Sequence, residues 1–199
     1  MPSITFDWLK ENVGNNINKE YTTFIETGTY YGSTILHMEK YFLKLHTIEI
    51  KENIFKFVKN KYLTSFNLPI NRGRPKKIKF YLGDSTNILP KICSNIESKA
   101  IFFLDGHWSC GNTGKGAKDV PLNEELNGIC NNFKNDCIII IDDCRLFGKG
   151  PNNGNEVCDW EDINTMKILN IVKDRLEKNY FSPSKLDDKD RLVLFLKKI

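Results

Sequence analysis

The chain has 199 residues, which is long enough for one domain with its own hydrophobic core. Hydrophobic residues make up 40% of it and charged residues 27%, values that are ordinary for a globular protein. The net charge of +4 is mild, and the lysines and arginines are scattered, which argues against nucleic acid as the main ligand. One basic cluster, at 72–77, contains Gly and Pro, and we interpret it as a solvated surface loop instead of a polyanion contact.

Signals for targeting, membrane insertion and disulfide pairing are missing. The N-terminus lacks a signal-peptide pattern, no apolar run approaches the ~20 residues of a membrane span, and the six cysteines form no Cys-x-x-Cys pair. We therefore expect a cytoplasmic protein with free thiols and no membrane partner.

Strand-like and helix-like segments alternate along the chain. In chain order they are a strand at 22–26, a glycine loop, a helix at 33–43, a strand at 46–50, a helix at 52–65, a strand at 79–82, a helix through 88–96, a strand from 100, a helix at 122–133, a strand from 137, a helix at 162–179 and a strand at 192–196. This alternation predicts an α/β fold with a parallel sheet that helices cover on both faces. We expect a single domain spanning 1–199.

A glycine loop joins the first strand to the first helix, with Gly28 and Gly32 in Gly-x-x-x-Gly spacing. This spacing matches neither the dinucleotide fingerprint nor a phosphate-binding P-loop. Two acidic residues accompany the loop: Glu26 precedes it, and Glu49 lies at the tip of the second strand, where folds of this class bind ribose hydroxyls. This arrangement indicates a ribose-binding site near the loop; the alternative is that Glu49 is an ordinary surface residue.

Three aspartates follow two neighbouring buried strands: Asp105 after the strand from 100, and Asp142 with Asp143 after the strand from 137. Because ligands collect at the carboxyl ends of parallel strands, we expect the three carboxylates to lie together. Such a concentration of negative charge favours a divalent cation with oxygen ligands. The alternative is that these aspartates cap the helices that follow.

The order of these motifs resembles class I S-adenosylmethionine-dependent methyltransferases. It is most similar to the metal-dependent small-molecule O-methyltransferases, which include macrolide-sugar and catechol enzymes. The resemblance implies a Rossmann-like, seven-stranded, mostly parallel sheet with a C-terminal antiparallel hairpin, supplied here by 182–197. It also implies a binding site for the cofactor S-adenosylmethionine. The residues of this site would be Glu26, Gly28, Tyr31, Gly32, Ser33, Glu49, Asp84, Ser85 and Asp105. It implies a site for Mg²⁺ or Mn²⁺ at Asp105, Asp142 and Asp143.

Methyl transfer to oxygen needs a base that removes the acceptor proton. Neutral imidazole suits this role near pH 7, and His107 lies two residues after a predicted metal ligand. Lys115 is the rival base, and it is otherwise a solvated lysine. Many relatives carry a different residue in the place of His107, so the identity of the base stays open.

Two polar loops, 108–116 and 148–154, are predicted to border the acceptor site, the first as a lid or acceptor cradle. Trp108 and Trp160 either stack on the acceptor or pack in the core. An open site without a cap domain favours a small-molecule, sugar or glycan hydroxyl as acceptor. The alternatives are a metal-independent methyltransferase of nucleic acid or protein, and a non-catalytic nucleotide-binding domain.

Overall fold

The computed structural model describes residues 3–71 and 73–199, so Arg72 of the basic cluster lies outside the described residues. The strands are β1 Thr23–Thr27, β2 Lys44–Glu49, β3 Ile78–Leu82, β4 Ala100–Leu104, β5 Cys137–Ile141, β6 Leu176–Ser182 and β7 Arg191–Leu196. The helices are α1 Phe6–Asn12, α2 Ile17–Glu20, α3 Ser33–Met38, α4 Glu52–Ser65, α5 Ser85–Cys93, α6 Leu122–Asn132 and α7 Thr165–Val172, with short 3₁₀ turns at Pro69–Asn71 and Cys144–Leu146. No helix in the described part is long and apolar enough to cross a membrane.

The strands form one seven-stranded sheet in the order β3-β2-β1-β4-β5-β7-β6. The first five strands in this order are parallel to one another, while β7 is antiparallel to both β5 and β6. This confirms the predicted Rossmann-like sheet with a C-terminal antiparallel hairpin. Leu104 lies opposite Ile141, so the carboxyl ends of β4 and β5 are level.

Helices cover the sheet on both faces. The core on one face includes Ile25, Phe102 and Ile139 packed against α5, α6 and α7. The core on the other face includes Phe24 and Ile101 packed against α1, α2, α3 and α4. Because both faces of β4 and β5 are buried, the sequences of these two strands are unbroken apolar runs without the alternation of a half-exposed strand.

The C-terminal elements differ from the sequence prediction. The helix predicted at 162–179 ends at Val172. The last residues of the predicted helix belong instead to β6, so the hairpin begins at Leu176 and not at the predicted 182. Pairing with β7 outweighs the helical spacing of the apolar residues, since strand preference depends strongly on tertiary context. The sequence prediction also omitted α1, although Thr5 caps it by accepting a hydrogen bond from the amide of Trp8.

The described part of the basic loop, 73–77, is held by contacts within the chain. Arg74 forms an ion pair with buried Glu39, and Lys77 Nζ donates to the Glu39 carbonyl at 3.0 Å. Lys76 Nζ lies 5.7 Å from the Phe66 ring centroid. These described cations therefore already have partners in the chain.

Candidate functional site

A cavity of about 890 Å³ opens at the carboxyl ends of the five parallel strands. Its size is typical of small-molecule sites, which measure roughly 300–1,000 Å³. The predicted site residues in its lining are Gly28, Tyr31, Ser33, Glu49, Asp84, Ser85, Asp105, His107 and Asp143. The predicted residues outside the lining are Glu26, Gly32, Lys115 and Asp142.

The two glycines of the loop after β1 permit close packing. Gly28 has φ +80°, and an added Cβ would overlap the backbone oxygen of Asp105. Gly32 has φ +74°, and its Cβ would overlap the side chain of Val58 on α4. The glycines therefore bring the loop against β4 and α4, and both positions favour glycine on conformational grounds as well.

Glu49 is fixed at the edge of the cavity by backbone amides. Its Oε2 accepts from Tyr30 N and its Oε1 from Lys51 N, each at 2.8 Å. Burial raises the pKa of Glu49, and these two hydrogen bonds oppose the shift because they stabilise the ionised form. The carboxylate is thus held in one orientation while retaining lone pairs for a ligand.

Glu26 lies behind the cavity wall. It is buried, and its Oε1 accepts from the hydroxyl of Thr47 at 2.7 Å. Burial raises the pKa of Glu26 to about 8, so the group is mostly protonated near pH 7. Sequence reasoning placed this residue against the cofactor, whereas the structure gives it a partner inside the protein.

Asp84 is the N-cap of α5. Its Oδ1 accepts from the amide of Thr86 at 2.9 Å, which is the ordinary role of Asp before a helix. The residue also lines the cavity beside Ser85. Capping and ligand contact are therefore compatible at this position.

The three aspartates after β4 and β5 have different surroundings. Asp142 is buried, and its Oδ1 accepts from Arg191 Nε at 2.9 Å. Asp143 pairs with Arg145 and lies in the left-handed region with φ +62°. The side chain of Asp143 makes no capping hydrogen bond, so capping does not explain it.

His107 lies between two of these carboxylates. Its Nε2 is 3.5 Å from Asp143 Oδ2, and its Nδ1 is 3.8 Å from Asp105 Oδ1. One potential ligand atom from each of Asp105, His107 and Asp143 lies within 4.8 Å of the others. The compact donor set at the cavity therefore contains His107, while Asp142 and Asp143 belong to a second such set with Asp190.

The electrostatics of this cluster are those of crowded, poorly hydrated charges. Burial, followed by the charges of Asp142 and Asp143, raises the pKa of Asp105 well above its usual value. Burial lowers the pKa of His107, and the charge of Asp143 opposes that shift. A bound cation would favour the ionised carboxylates and the neutral imidazole.

Lys115 is not part of the cavity lining. Its Nζ pairs with Asp119 Oδ1 at 2.7 Å and lies 4.2 Å from the centroid of the Trp108 ring. Trp108 lines the cavity, whereas Trp160 is buried with its ring centroid 4.9 Å from that of His107. Of the two tryptophans, Trp160 is therefore core packing.

The loop at 108–116 covers the Glu49 side of the cavity. A Cβ at Gly114 would overlap the side chain of Ile50, which shows how closely the loop approaches β2. Asn112 donates to the hydroxyl of Tyr31 at 2.9 Å and accepts from Lys51 Nζ at 2.8 Å. Two hydrogen bonds of the Asn112 side chain thus hold the loop over the cavity.

Sequence reasoning missed several residues of the lining. They include Ser3, Tyr30, Lys61, Asn112 and Arg145. Tyr30 and Asn112 lie within segments that the motifs had marked. Arg145 follows Asp143 by two residues. Ser3 and Lys61 reach the cavity only through tertiary packing, so no local signal identified them.

No protein-family model matches the chain, and no curated protein matches it in sequence. Solved structures do share its fold. The O-methyltransferase TomG from Streptomyces achromogenes, in complex with S-adenosylmethionine (SAM), aligns with a TM-score of 0.60 and 13% identity over 91% of this chain and 75% of that one. The methyltransferase PaMTH1 from Podospora anserina, bound to SAH, gives 0.57 and 14% over 93% and 75%.

An rRNA methylase from Streptococcus thermophilus gives a TM-score of 0.52 and 12% identity over 93% of each chain. Enzymes with small-molecule and with nucleic-acid substrates thus appear among the similar structures. At these identities the likeness establishes the fold alone, which is the Rossmann-like fold of these methyltransferases.

Proposed function

We propose that the chain is an S-adenosylmethionine-dependent O-methyltransferase that acts on a hydroxyl of a small molecule, a sugar or a glycan, with the help of a divalent cation. One observation carries the proposal: a single cavity contains seven of the nine predicted cofactor residues and the Asp105–His107–Asp143 cluster. A methyl donor and an activated acceptor must meet within one site for transfer.

The cavity residues fit the cofactor. S-adenosylmethionine would supply an electrophilic methyl group on a sulfonium. Glu49, oriented by two amides, would accept hydrogen bonds from ribose hydroxyls at the tip of β2. Asp84 and Ser85 would contact the adenine, and Tyr31 with Ser33 would border the methionine end.

The Asp105–His107–Asp143 cluster fits a divalent cation. It offers two carboxylate oxygens and one imidazole nitrogen in a compact set. The cation would lower the pKa of an acceptor hydroxyl. A nitrogen donor suits Mn²⁺ better than Mg²⁺, which prefers oxygen ligands throughout. In this proposal Asp142, the third ligand expected from the sequence, supports the site through its pair with Arg191.

His107 has two roles that exclude each other, because a lone pair that binds a cation does not accept a proton. We assign it to the cation, since its nitrogens face both carboxylates. Pulsed electron paramagnetic resonance on the Mn²⁺-loaded protein should detect a directly bound nitrogen in the wild type and none in His107→Gln. Tight Mn²⁺ binding without a nitrogen signal would return His107 to the role of base.

The decisive experiment measures transfer of a labelled methyl group from S-adenosylmethionine to sugars, catechols and RNA, with and without EDTA. We expect turnover on a hydroxyl compound, loss of activity in EDTA and recovery with Mn²⁺ or Mg²⁺. Full activity in EDTA would refute the cation, and transfer to RNA alone would refute the small acceptor. Absence of any binding of S-adenosylhomocysteine would leave only a non-catalytic domain.

A further inference from the structure

Two aromatic side chains of the cavity lining remain exposed, and the ring of Phe57 lies beside them. Tyr30, Tyr31 and Phe57 are 47%, 43% and 53% exposed. The ring centroids of Tyr30 and Tyr31 are 4.5 Å apart, and those of Tyr31 and Phe57 are 5.8 Å apart, both pairs edge to face. A contiguous group of half-exposed aromatic rings beside a cavity is typical of a ligand-binding surface.

The rings are held in place before any ligand binds. Tyr30 has φ +47°, a left-handed conformation that costs free energy for a residue with a side chain, and its amide is fixed by Glu49. Tyr31 accepts a hydrogen bond from Asn112 through its hydroxyl. Strain that the surrounding structure maintains is characteristic of functional sites.

A lysine completes this surface. Lys61 lies one helical turn after Phe57 on α4, so the two side chains share a face, and Lys61 lines the cavity. It has no ion-pair partner among the described residues. The other cations in the lining are committed, Lys118 to Glu124 and Arg145 to Asp143.

We propose that Tyr30, Tyr31, Phe57 and Lys61 form an acceptor subsite for a compound that carries both a ring and an anionic group, a carboxylate or a phosphate. The inference rests on the proposed function and names the class of its acceptor. The rings offer flat apolar faces to a pyranose or an aromatic ring, and Lys61 supplies a point charge for the anion. An anionic sugar combines both features.

Probe binding tests the subsite without turnover. The probes are 4-nitrophenyl β-D-glucuronide, which has a ring and a carboxylate, the uncharged 4-nitrophenyl β-D-glucoside, and 4-nitrophenyl phosphate. Their dissociation constants are measured by NMR titration with S-adenosylhomocysteine present, so that the probes cannot occupy the cofactor position. The titrations are repeated without it, so that a chain that binds no cofactor still gives a result for the subsite.

We expect the wild type to bind the glucuronide about three- to fivefold more tightly than the glucoside, the usual range for an exposed ion pair. Lys61→Gln should abolish this preference, and Phe57→Ala should weaken both glycosides about two- to tenfold. Lys59→Gln on the same helix and Met166→Ala at a distant exposed position should bind as the wild type does. The phosphate probe distinguishes a site for phosphate from one for carboxylate.

The subsite would be overturned by equal affinity of the wild type for the two glycosides, by a preference that survives Lys61→Gln, or by tighter binding of a short oligouridylate through the same residues. Weaker binding of S-adenosylhomocysteine by Lys61→Gln would assign the lysine to the cofactor's carboxylate, again against the subsite. Failure of cofactor binding in the wild type would instead refute the proposed function, while the probe titrations report on the subsite separately.

Discussion

The carboxyl group of Glu26 makes the stability of the protein depend on pH. Burial raises its pKa from 4.5 to about 8 in the folded state, so between these values the folded state binds more protons than the unfolded state. Its contribution is therefore fully present below pH 4.5 and is lost as the pH rises toward 8. Glu26→Gln should remove this dependence and gain up to ~4 kcal/mol relative to the wild type at pH 8.

Urea unfolding of the wild type and Glu26→Gln at pH 5 and pH 8 measures the effect. The quantity compared is the change in the free energy of unfolding between the two pH values, in one protein against the other. The comparison is needed because Glu125, whose pKa burial raises to about 7, contributes with the same sign. Parallel pH profiles of wild type and Glu26→Gln would show that the group ionises without cost in the folded protein.

Gly28 should be required for folding more than for ligand binding. Its added Cβ would overlap the Asp105 carbonyl, so Gly28→Ala should destabilise the protein by roughly 3 kcal/mol or more. Gly148 is a matched control because it also has positive φ but no atom within 4 Å of an added Cβ, and Gly148→Ala should cost about 1 kcal/mol. Thermal unfolding of both variants measures the difference. A stable Gly28→Ala protein that has lost only cofactor affinity would restore the interpretation drawn from the sequence.

The sequence located the acidic residues but not their partners. Strand ends and glycine spacing place Asp105, Asp142 and Asp143 on one edge of a sheet, because that follows from local pattern and parallel topology. The pairing of Asp142 with Arg191 joins residues 49 positions apart in the sequence. No periodicity encodes such a contact, so neither the Arg191 partner of Asp142 nor the place of His107 between Asp105 and Asp143 could be predicted before the tertiary structure was available.

At the scale of elements, the loop at 108–116 should control exchange of the cofactor. Asn112 supplies both described side-chain hydrogen bonds from this loop to Tyr31 and Lys51. Asn112→Ala should raise the dissociation rate of S-adenosylhomocysteine at least about fivefold, because each of the two lost bonds contributes roughly 0.5–1.5 kcal/mol. Stopped-flow displacement measures this rate, with Asn127→Ala on α6 as the control. An unchanged rate would mean that the cofactor dissociates without breaking the two hydrogen bonds of Asn112.

Elements with strong local signals were predicted well, whereas β6, which depends on pairing with β7, was predicted as the end of a helix. The helix predicted at 52–65 coincides with α4, since its apolar spacing and the following turn agree. The segment after Val172 has apolar residues at helical spacing. It nevertheless forms β6, because its backbone pairs with β7. Local sequence pattern was therefore sufficient to predict the five parallel strands, whereas the first strand of the hairpin could be recognised only from its pairing.

At the scale of the whole molecule, Arg175 joins the C-terminal hairpin to the end of α6. Its buried guanidinium donates to the carbonyls of Phe133, Asn135 and Lys197 at 2.7–2.8 Å. Arg175→Met should leave these carbonyls unsatisfied and destabilise the protein by about 3 kcal/mol, whereas exposed Lys173→Met should change stability little. Chemical denaturation checks both. Similar midpoints for the two variants would show that water replaces the guanidinium.

The position of β7 between β5 and β6 has a consequence for synthesis on the ribosome. The apolar strand β5 leaves the ribosome some fifty residues before β7, its partner on that side. During this interval the unpaired edge of Cys137–Ile141 is open to other chains, which is the usual origin of strand-mediated aggregation. A nascent chain stalled before Arg191 should therefore depend on chaperones, and release of the last strand should end that dependence.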